Sequence, residues 1–183
     1  SLSESFKRSL VIQIRFLNKT IEYHLLGNHL FENAKALIFG GLYFYGDEPD
    51  KWLNKGLCIL TKELKEQILI DGGHFELSPL YHSIVLEGIL DIFNISKAFP
   101  GIVPVKLIED LETYANKMRK WYFYISHPDG HLSFFNDAVF NIAADFKRIE
   151  EYASRLGLEK TKPSKDALIY LKESGYARIQ RGK

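Results

Sequence analysis

Three short clusters hold the groups that chemistry could use. The first is Gly27-Asn28-His29, where an amide and an imidazole stand together just ahead of the apolar pair Leu30-Phe31. The second is Asp71-Gly72-Gly73-His74-Phe75-Glu76-Leu77-Ser78-Pro79-Leu80-Tyr81-His82. Two glycines, two histidines, acids and a tyrosine exceed what a helix connection needs. The third is His127-Pro128-Asp129-Gly130-His131, leading to Asn136-Asp137. Amide and imidazole N–H groups at a helix start can donate to an anion, aided by the positive end of the helix dipole. A tyrosine can move a proton. Each cluster alone also has a plainer explanation: Asn28 as a helix N-cap, Ser78-Pro79 as a cap and first helical residue, Pro128-Asp129-Gly130 as a turn. The histidine spacings do not set two imidazoles one helical turn apart on one face, so neither a metal site nor a cofactor is expected.

The elements that must position these clusters are helices, and the clusters fall at their ends. Phe6, Leu10, Ile14, Leu17, Ile21 and Leu25 recur three or four apart and predict a helix over residues 3–26. Gly27 is a natural stop for it, and Asn28 a natural cap for the next. That second helix should run to about Tyr45, broken by Gly46, Asp47 and Pro49. Further helices are expected over about 50–70, 78–96, 105–125 and 138–156. Antiparallel neighbours joined by short turns make an all-α stack of helical hairpins. The tail differs. Residues 160–183 hold seven basic and two acidic side chains, whereas residues 1–159 carry a net negative charge. Lys160–Lys165, around Pro163, has the character of a linker. Ala167–Tyr170 and Tyr176–Ile179, around Glu173-Ser174-Gly175, predict a β-hairpin. The expected division is therefore a helical domain over 1–159 and the start of a β domain over 160–183.

Composition narrows the function classes. Of 183 residues, 46% are hydrophobic and 26% charged, which is ordinary for a folded globular chain. A net charge of +1 argues against a dedicated nucleic-acid binder. No apolar run is long enough to span a bilayer, and the first residues do not have the character of a signal peptide. Cys58 is the single cysteine, which excludes an internal disulfide and a cysteine-based metal cluster. Aromatic residues make up 14%; core packing and sugar-binding clefts both use them.

Taken together, the clusters resemble a family. Asn28-His29-Leu30-Phe31-Glu32-Asn33-Ala34-Lys35-Ala36-Leu37 is similar to a signature of the heparinase II/III-like polysaccharide lyases. So is the run from Trp52 through Asp71-Gly72-Gly73-His74 to Ser78-Pro79-Leu80-Tyr81-His82. His127-Pro128-Asp129-Gly130, Phe135-Asn136-Asp137 and Ser174-Gly175-Tyr176 resemble later blocks. The resemblance implies an incomplete α/α toroid followed by a β-sandwich domain, of which the tail hairpin would be the beginning. It implies cleavage of a uronate-containing acidic polysaccharide, such as a glycosaminoglycan or an alginate-like chain, by β-elimination. On the same grounds Asn28, His29 and Tyr81 are the catalytic residues. His74, Glu76, His82, His127 and Asn136 are assigned to substrate binding. A further histidine would come from the β domain, beyond Lys183, so the fragment should be incomplete for activity. A periplasmic or secreted location is implied, with a cytoplasmic one left open. Two positions depart from the family: Leu77 stands where some relatives have arginine, and His131 and Ser133 where an acid and a proline are common.

The chemistry matches those residue types. Elimination removes the proton on C5, alpha to a carboxylate, which is a poor acid while that carboxylate keeps its charge. An N–H donor on the carboxylate favours the enolate-like transition state. Tyr81 could act as the base at C5, as the acid for the departing O4, or as both. Asn28, His29, His74 and Tyr81 are therefore expected in one cleft. Two other readings stay open at this point. One is a protein that keeps the fold and binds or processes a glycan without cutting it. The other is a glycoside hydrolase on a similar toroid, which would need paired carboxylates; Glu76 and Asp129 are the tempting pair.

Overall fold

The computed structural model describes residues 3–25, 27–162, 164 and 166–180. The elements are α1 (Glu4–Lys19), α2 (Asn28–Tyr43), α3 (Asp47–Gln67), α4 (Pro79–Ala98), α5 (Val105–Ile125), α6 (Phe146–Arg155), β1 (Leu168–Leu171) and β2 (Tyr176–Ile179). The chain is thus mostly helical with a short antiparallel hairpin. It forms two compact units, Ser1–Leu64 and Lys65–Lys183. Of the expected linker Lys160–Lys165, Pro163 and Lys165 lie outside the described residues, as does Leu26 at the end of the expected first helix.

In the first unit, α1 stops at Lys19, well short of residue 26. Thr20 ends it by turning its hydroxyl back onto the Phe16 carbonyl, 2.9 Å away. Lys55 Nζ covers the same end, donating to the Asn18 carbonyl at 2.7 Å. Ile21 and Leu25 continue the apolar period, but the backbone around Glu22 bonds elsewhere, as described below. Arg15 grips the Glu48 carboxylate with two nitrogens at 2.6–3.0 Å, tying α1 to the start of α3. The core joins Phe31, Ala34, Leu37 and Ile38 of α2 to Trp52, Leu60 and Leu64 of α3, all buried. Two glycines let these helices touch backbone to backbone. A Cβ on Gly41 would sit 2.7 Å from the Leu53 nitrogen, and one on Gly56 2.8 Å from the Ala34 carbonyl oxygen.

In the second unit, α4 and α5 pack through Val85, Leu86, Ile89, Leu90, Leu111, Ala115, Met118 and Tyr122, all buried. Helix α4 begins as its sequence demands: Pro79 is its first residue, and the Ser78 hydroxyl accepts from the Tyr81 N–H. Helix α6 begins at Phe146, not at Ala138. Asp145 caps it by accepting from the Arg148 N–H at 2.9 Å. Just before, the Ala144 carbonyl is held by the hydroxyls of Ser83 and Tyr122, at 2.5 and 2.9 Å. An acceptor held in this way cannot also serve a continuous helix from 138. Buried Arg119 donates to Glu150 at 2.6 Å, Asn116 at 2.9 Å and the Glu159 carbonyl at 2.7 Å. Burial alone would raise the Glu150 carboxyl, yet donation from Arg119 and Thr161 holds it below the usual range.

The hairpin pairs Leu168 with Ile179 and Leu171 with Tyr176, and it belongs to the second unit. Leu171 and Tyr176 pack on Trp121, Tyr124 and Ile125 of α5. Trp121 Nε1 donates to Ser174 Oγ at 2.8 Å, and that hydroxyl in turn donates to Asp71 Oδ2 at 2.9 Å. Arg178 points its guanidinium at the end of α5, where it meets the carbonyls of Phe123, Tyr124 and Ser126 at 3.0–3.1 Å.

Candidate functional site

In the first unit the site is built around the start of α2. Asn28 was the expected cap; the structure gives that role to Gly27, whose φ of 85° and ψ of −150° suit glycine and no other residue well. Gly27 has no side chain to bond the helix start, and Asn28 moves into the first turn. Its amide therefore does not do a cap's work. Beside it His29 is exposed, with 55% of its side chain accessible.

Two residues that the sequence did not single out organise this turn. The Asn33 carbonyl oxygen accepts from the Glu22 backbone N–H at 3.1 Å. The Asn33 amide nitrogen donates to Glu22 Oε2 and to the His29 carbonyl, both at 2.9 Å. Asn33 is buried, so these bonds are shielded from water. Glu22 Oε2 lies 3.6 Å from His29 Nδ1. Glu22 falls inside the over-long first helix of the sequence reading, and nothing in its local pattern points to Asn33.

In the second unit, Asp71-Gly72-Gly73 forms a tight turn pressed against α5. Gly72 has φ 94°, and a Cβ on Gly73 would stand 2.7 Å from Trp121 Nε1. Asp71 Oδ1 accepts from the Gly73 N–H at 3.0 Å, and Oδ2 from the Ser174 N–H at 2.8 Å. His74 and His82, expected to meet substrate, have no exposed surface. His82 Nε2 faces the Met118 carbonyl at 3.0 Å and must donate to it, which leaves Nδ1 to accept from the His74 N–H at 3.3 Å. That ring is neutral: burial, with the neighbouring His74, pushes it down to about 3. Burial likewise pushes His74 down to about 4, and its Nε2 lies 3.0 Å from Gln67 Oε1. The His82 ring lies on Trp121 with centroids 4.4 Å apart. Both imidazoles brace the turn from inside, and neither offers an atom to a polysaccharide in this structure.

The same turn leads into Tyr81. Leu77 adopts φ 58°, rare for a side chain of its kind. Its carbonyl accepts from Asn136 Nδ2 and from the Tyr176 hydroxyl, both at 2.8 Å. Asn136 thus spends its amide nitrogen on the backbone that leads into α4, although its side chain is otherwise exposed. Tyr81 follows in the first turn of α4, half-buried; Glu76 is half-buried two residues before the Ser78 cap. His127 is exposed in the third cluster. Asp129 closes that cluster's turn by accepting from the His131 N–H at 2.9 Å, so its carboxylate has the plain structural task. Asn28 and His29 are thus residues of the first unit, and His74, Tyr81, His82, His127 and Asn136 of the second. Among the described residues no three His, Cys, Asp or Glu gather as a metal site would require, and no helix is long and apolar enough to cross a membrane.

Comparison with known proteins gives a consistent outcome. The family model described as Heparinase II/III N-terminus matches residues 4–159. A heparin-sulfate lyase of Bacteroides stercoris is 32% identical over 119 residues, covering 63% of this chain and 17% of its own length. One from Pedobacter heparinus is 35% identical over 82 residues, 40% of this chain and 12% of its own. Among solved structures, a heparinase III crystal structure covers 97% of this chain with TM-score 0.64 at 21% identity, using 28% of that chain. A mutant heparan sulfate lyase from Pedobacter heparinus covers 92% with TM-score 0.64 at 23% identity. At such identities the structural likeness shows the fold alone. The chain spans less than a fifth of the length of these curated relatives.

Proposed function

This chain belongs to the heparinase II/III N-terminus family, and from that premise we propose that it carries lyase chemistry on a uronate-containing acidic polysaccharide. The bond from C4 to the departing oxygen breaks by β-elimination, and no water enters the sugar. Asn28 and His29 donate to the uronate carboxylate and stabilise the enolate-like charge that grows on it. Tyr81 transfers the proton, at C5, at O4, or at both in turn. The observation that carries this reading is the release of Asn28 from capping. A glycine takes the cap, so an amide and an imidazole both stand in the first turn of α2, where the helix dipole favours an anion. His74, His82 and Asn136 support the reading indirectly, as braces of the turn that holds Tyr81. Glu76 and His127 remain candidates for contact with sugar. The relatives are named heparin-sulfate lyases, so a heparan-type glycosaminoglycan is the first substrate to offer.

The test is incubation of the full-length protein with a panel of uronate polysaccharides. Rising absorbance near the ultraviolet edge reports the unsaturated product of elimination. A panel that binds, stays uncut and yields no such product would refute the lyase reading and leave a glycan-binding one.

A further inference from the structure

We propose that Tyr176 is a positioning residue for Tyr81, its hydroxyl locking the left-handed turn from which α4 starts. This rests on the proposed role of Tyr81 in proton transfer. A leucine at φ 58° is strained, because its Cβ crowds the backbone, and such a residue persists only where its surroundings hold it. At Leu77 both backbone groups are held. Its N–H donates to the His74 carbonyl at 2.9 Å. Its carbonyl accepts from the Tyr176 hydroxyl and from Asn136 Nδ2, both at 2.8 Å. The two donors lie 99 and 59 residues along the chain, so neither bond is a by-product of the local turn. The Tyr176 ring is itself wedged in place. It meets buried Trp121 edge to face with centroids 5.9 Å apart, and Phe135 at 4.9 Å. Two bonds on one carbonyl fix the plane of the Leu77–Ser78 peptide. Ser78 is the N-cap of α4, and its own carbonyl accepts from the His82 N–H at 2.9 Å. Tyr81 stands between that cap and that donor, so the tilt of the peptide plane passes to its Cα. Without the Tyr176 hydroxyl a single side-chain bond opposes the strain, and Leu77 relaxes toward negative φ with the first turn of α4 displaced. The hairpin thus grips the second cluster twice, at Asp71 through Ser174 and at Leu77 through Tyr176.

Steady-state kinetics of the full-length protein test this. Tyr176→Phe keeps the packed ring and should lower kcat about tenfold with KM within about twofold, because a small misplacement of a reacting group slows the chemical step. Adding Leu77→Gly, which adopts positive φ without strain, should recover most of the rate. Ser174→Ala loosens the same hairpin without touching the Leu77 carbonyl, and it should leave kcat near that of the wild type. A rate that Leu77→Gly does not restore overturns the proposal, and with a raised KM it marks Tyr176 as a substrate contact instead. A Ser174→Ala variant as slow as Tyr176→Phe also overturns it, since the loss would then follow the stability of the hairpin. An unimpaired Tyr176→Phe beside an inactive Tyr81→Phe overturns only the positioning. Full turnover in Tyr81→Phe would instead overturn the role given to Tyr81.

Discussion

Replacing Asp71 by alanine should destabilise the second unit by about 3 kcal/mol. The carboxylate accepts from the Gly73 N–H at 3.0 Å, the Ser174 N–H at 2.8 Å and the Ser174 hydroxyl at 2.9 Å. Gly73 and Ser174 are buried, so two backbone donors lose their partner at once. A stranded buried donor costs about 1–3 kcal/mol, and more when its partner was charged. Asp71 itself is half-exposed, so water repairs part of the loss and the lower half of that range applies twice over. The hydroxyl of Ser174 can rotate, and it still accepts from Trp121. Ser174→Ala should therefore cost less, about 1–2 kcal/mol, mainly by stranding the indole N–H. Urea unfolding followed by tryptophan fluorescence measures both. The chain has two tryptophans, so a Trp52→Phe background makes Trp121 the sole reporter, and it lies inside the network under test. A loss below 1 kcal/mol for Asp71→Ala, or a smaller loss than for Ser174→Ala, would refute this account of the turn.

Tyr81→Phe in the full-length protein should lower turnover at least about a hundredfold while oligosaccharide affinity changes little, because only the hydroxyl is lost; weakened binding with intact turnover would make Tyr81 a sugar platform. Asn28→Ala should slow the reaction yet cost under about 0.5 kcal/mol of stability in urea, since Gly27 and not Asn28 occupies the cap. The second unit should lose stability as pH falls from about 6.5. His74 and His82 are pushed down to about 4 and 3 in the folded chain, so the unfolded chain binds more protons across that window. Unfolding free energy then rises with pH there, and between pH 6.5 and 5 the loss from the two groups should be about 3 kcal/mol, read by urea unfolding at both values. Substituting both histidines should flatten that slope.

The legible parts of the chain were those decided locally. Ser78-Pro79 announces the start of α4, and the helix begins there because cap and fixed φ act within one turn. The hairpin about Glu173-Ser174-Gly175 is likewise local, and its strands lie within a residue of expectation. The errors come from distant partners. Ile21 and Leu25 extend the apolar period of α1, but Asn33, eleven residues past Glu22, takes the backbone N–H at Glu22. The start of α6 is displaced by hydroxyls from α4 and α5 that claim the Ala144 carbonyl. At the candidate site, residue type identified the clusters but not the direction of their side chains. His74 and His82 share a motif with Tyr81, yet they are buried and Tyr81 is only half-buried. Periodicity cannot distinguish a histidine that braces a turn from one that faces solvent.

The clasp of Arg178 on the end of α5 separates two kinds of boundary. The family pattern stops at residue 159, while the second unit uses a side chain at 178 to meet the carbonyls of Phe123 and Tyr124 in the last turn of α5 and of Ser126 just past it. A module cut at the seam of the family pattern would carry α5 with its terminal carbonyls open and Trp121 stripped of its cover. Recombination between relatives at that seam would therefore yield a helical piece with an unhealed face. The family pattern and the packed second unit differ by one short β-ribbon, and selection on stability should keep that ribbon with the helices.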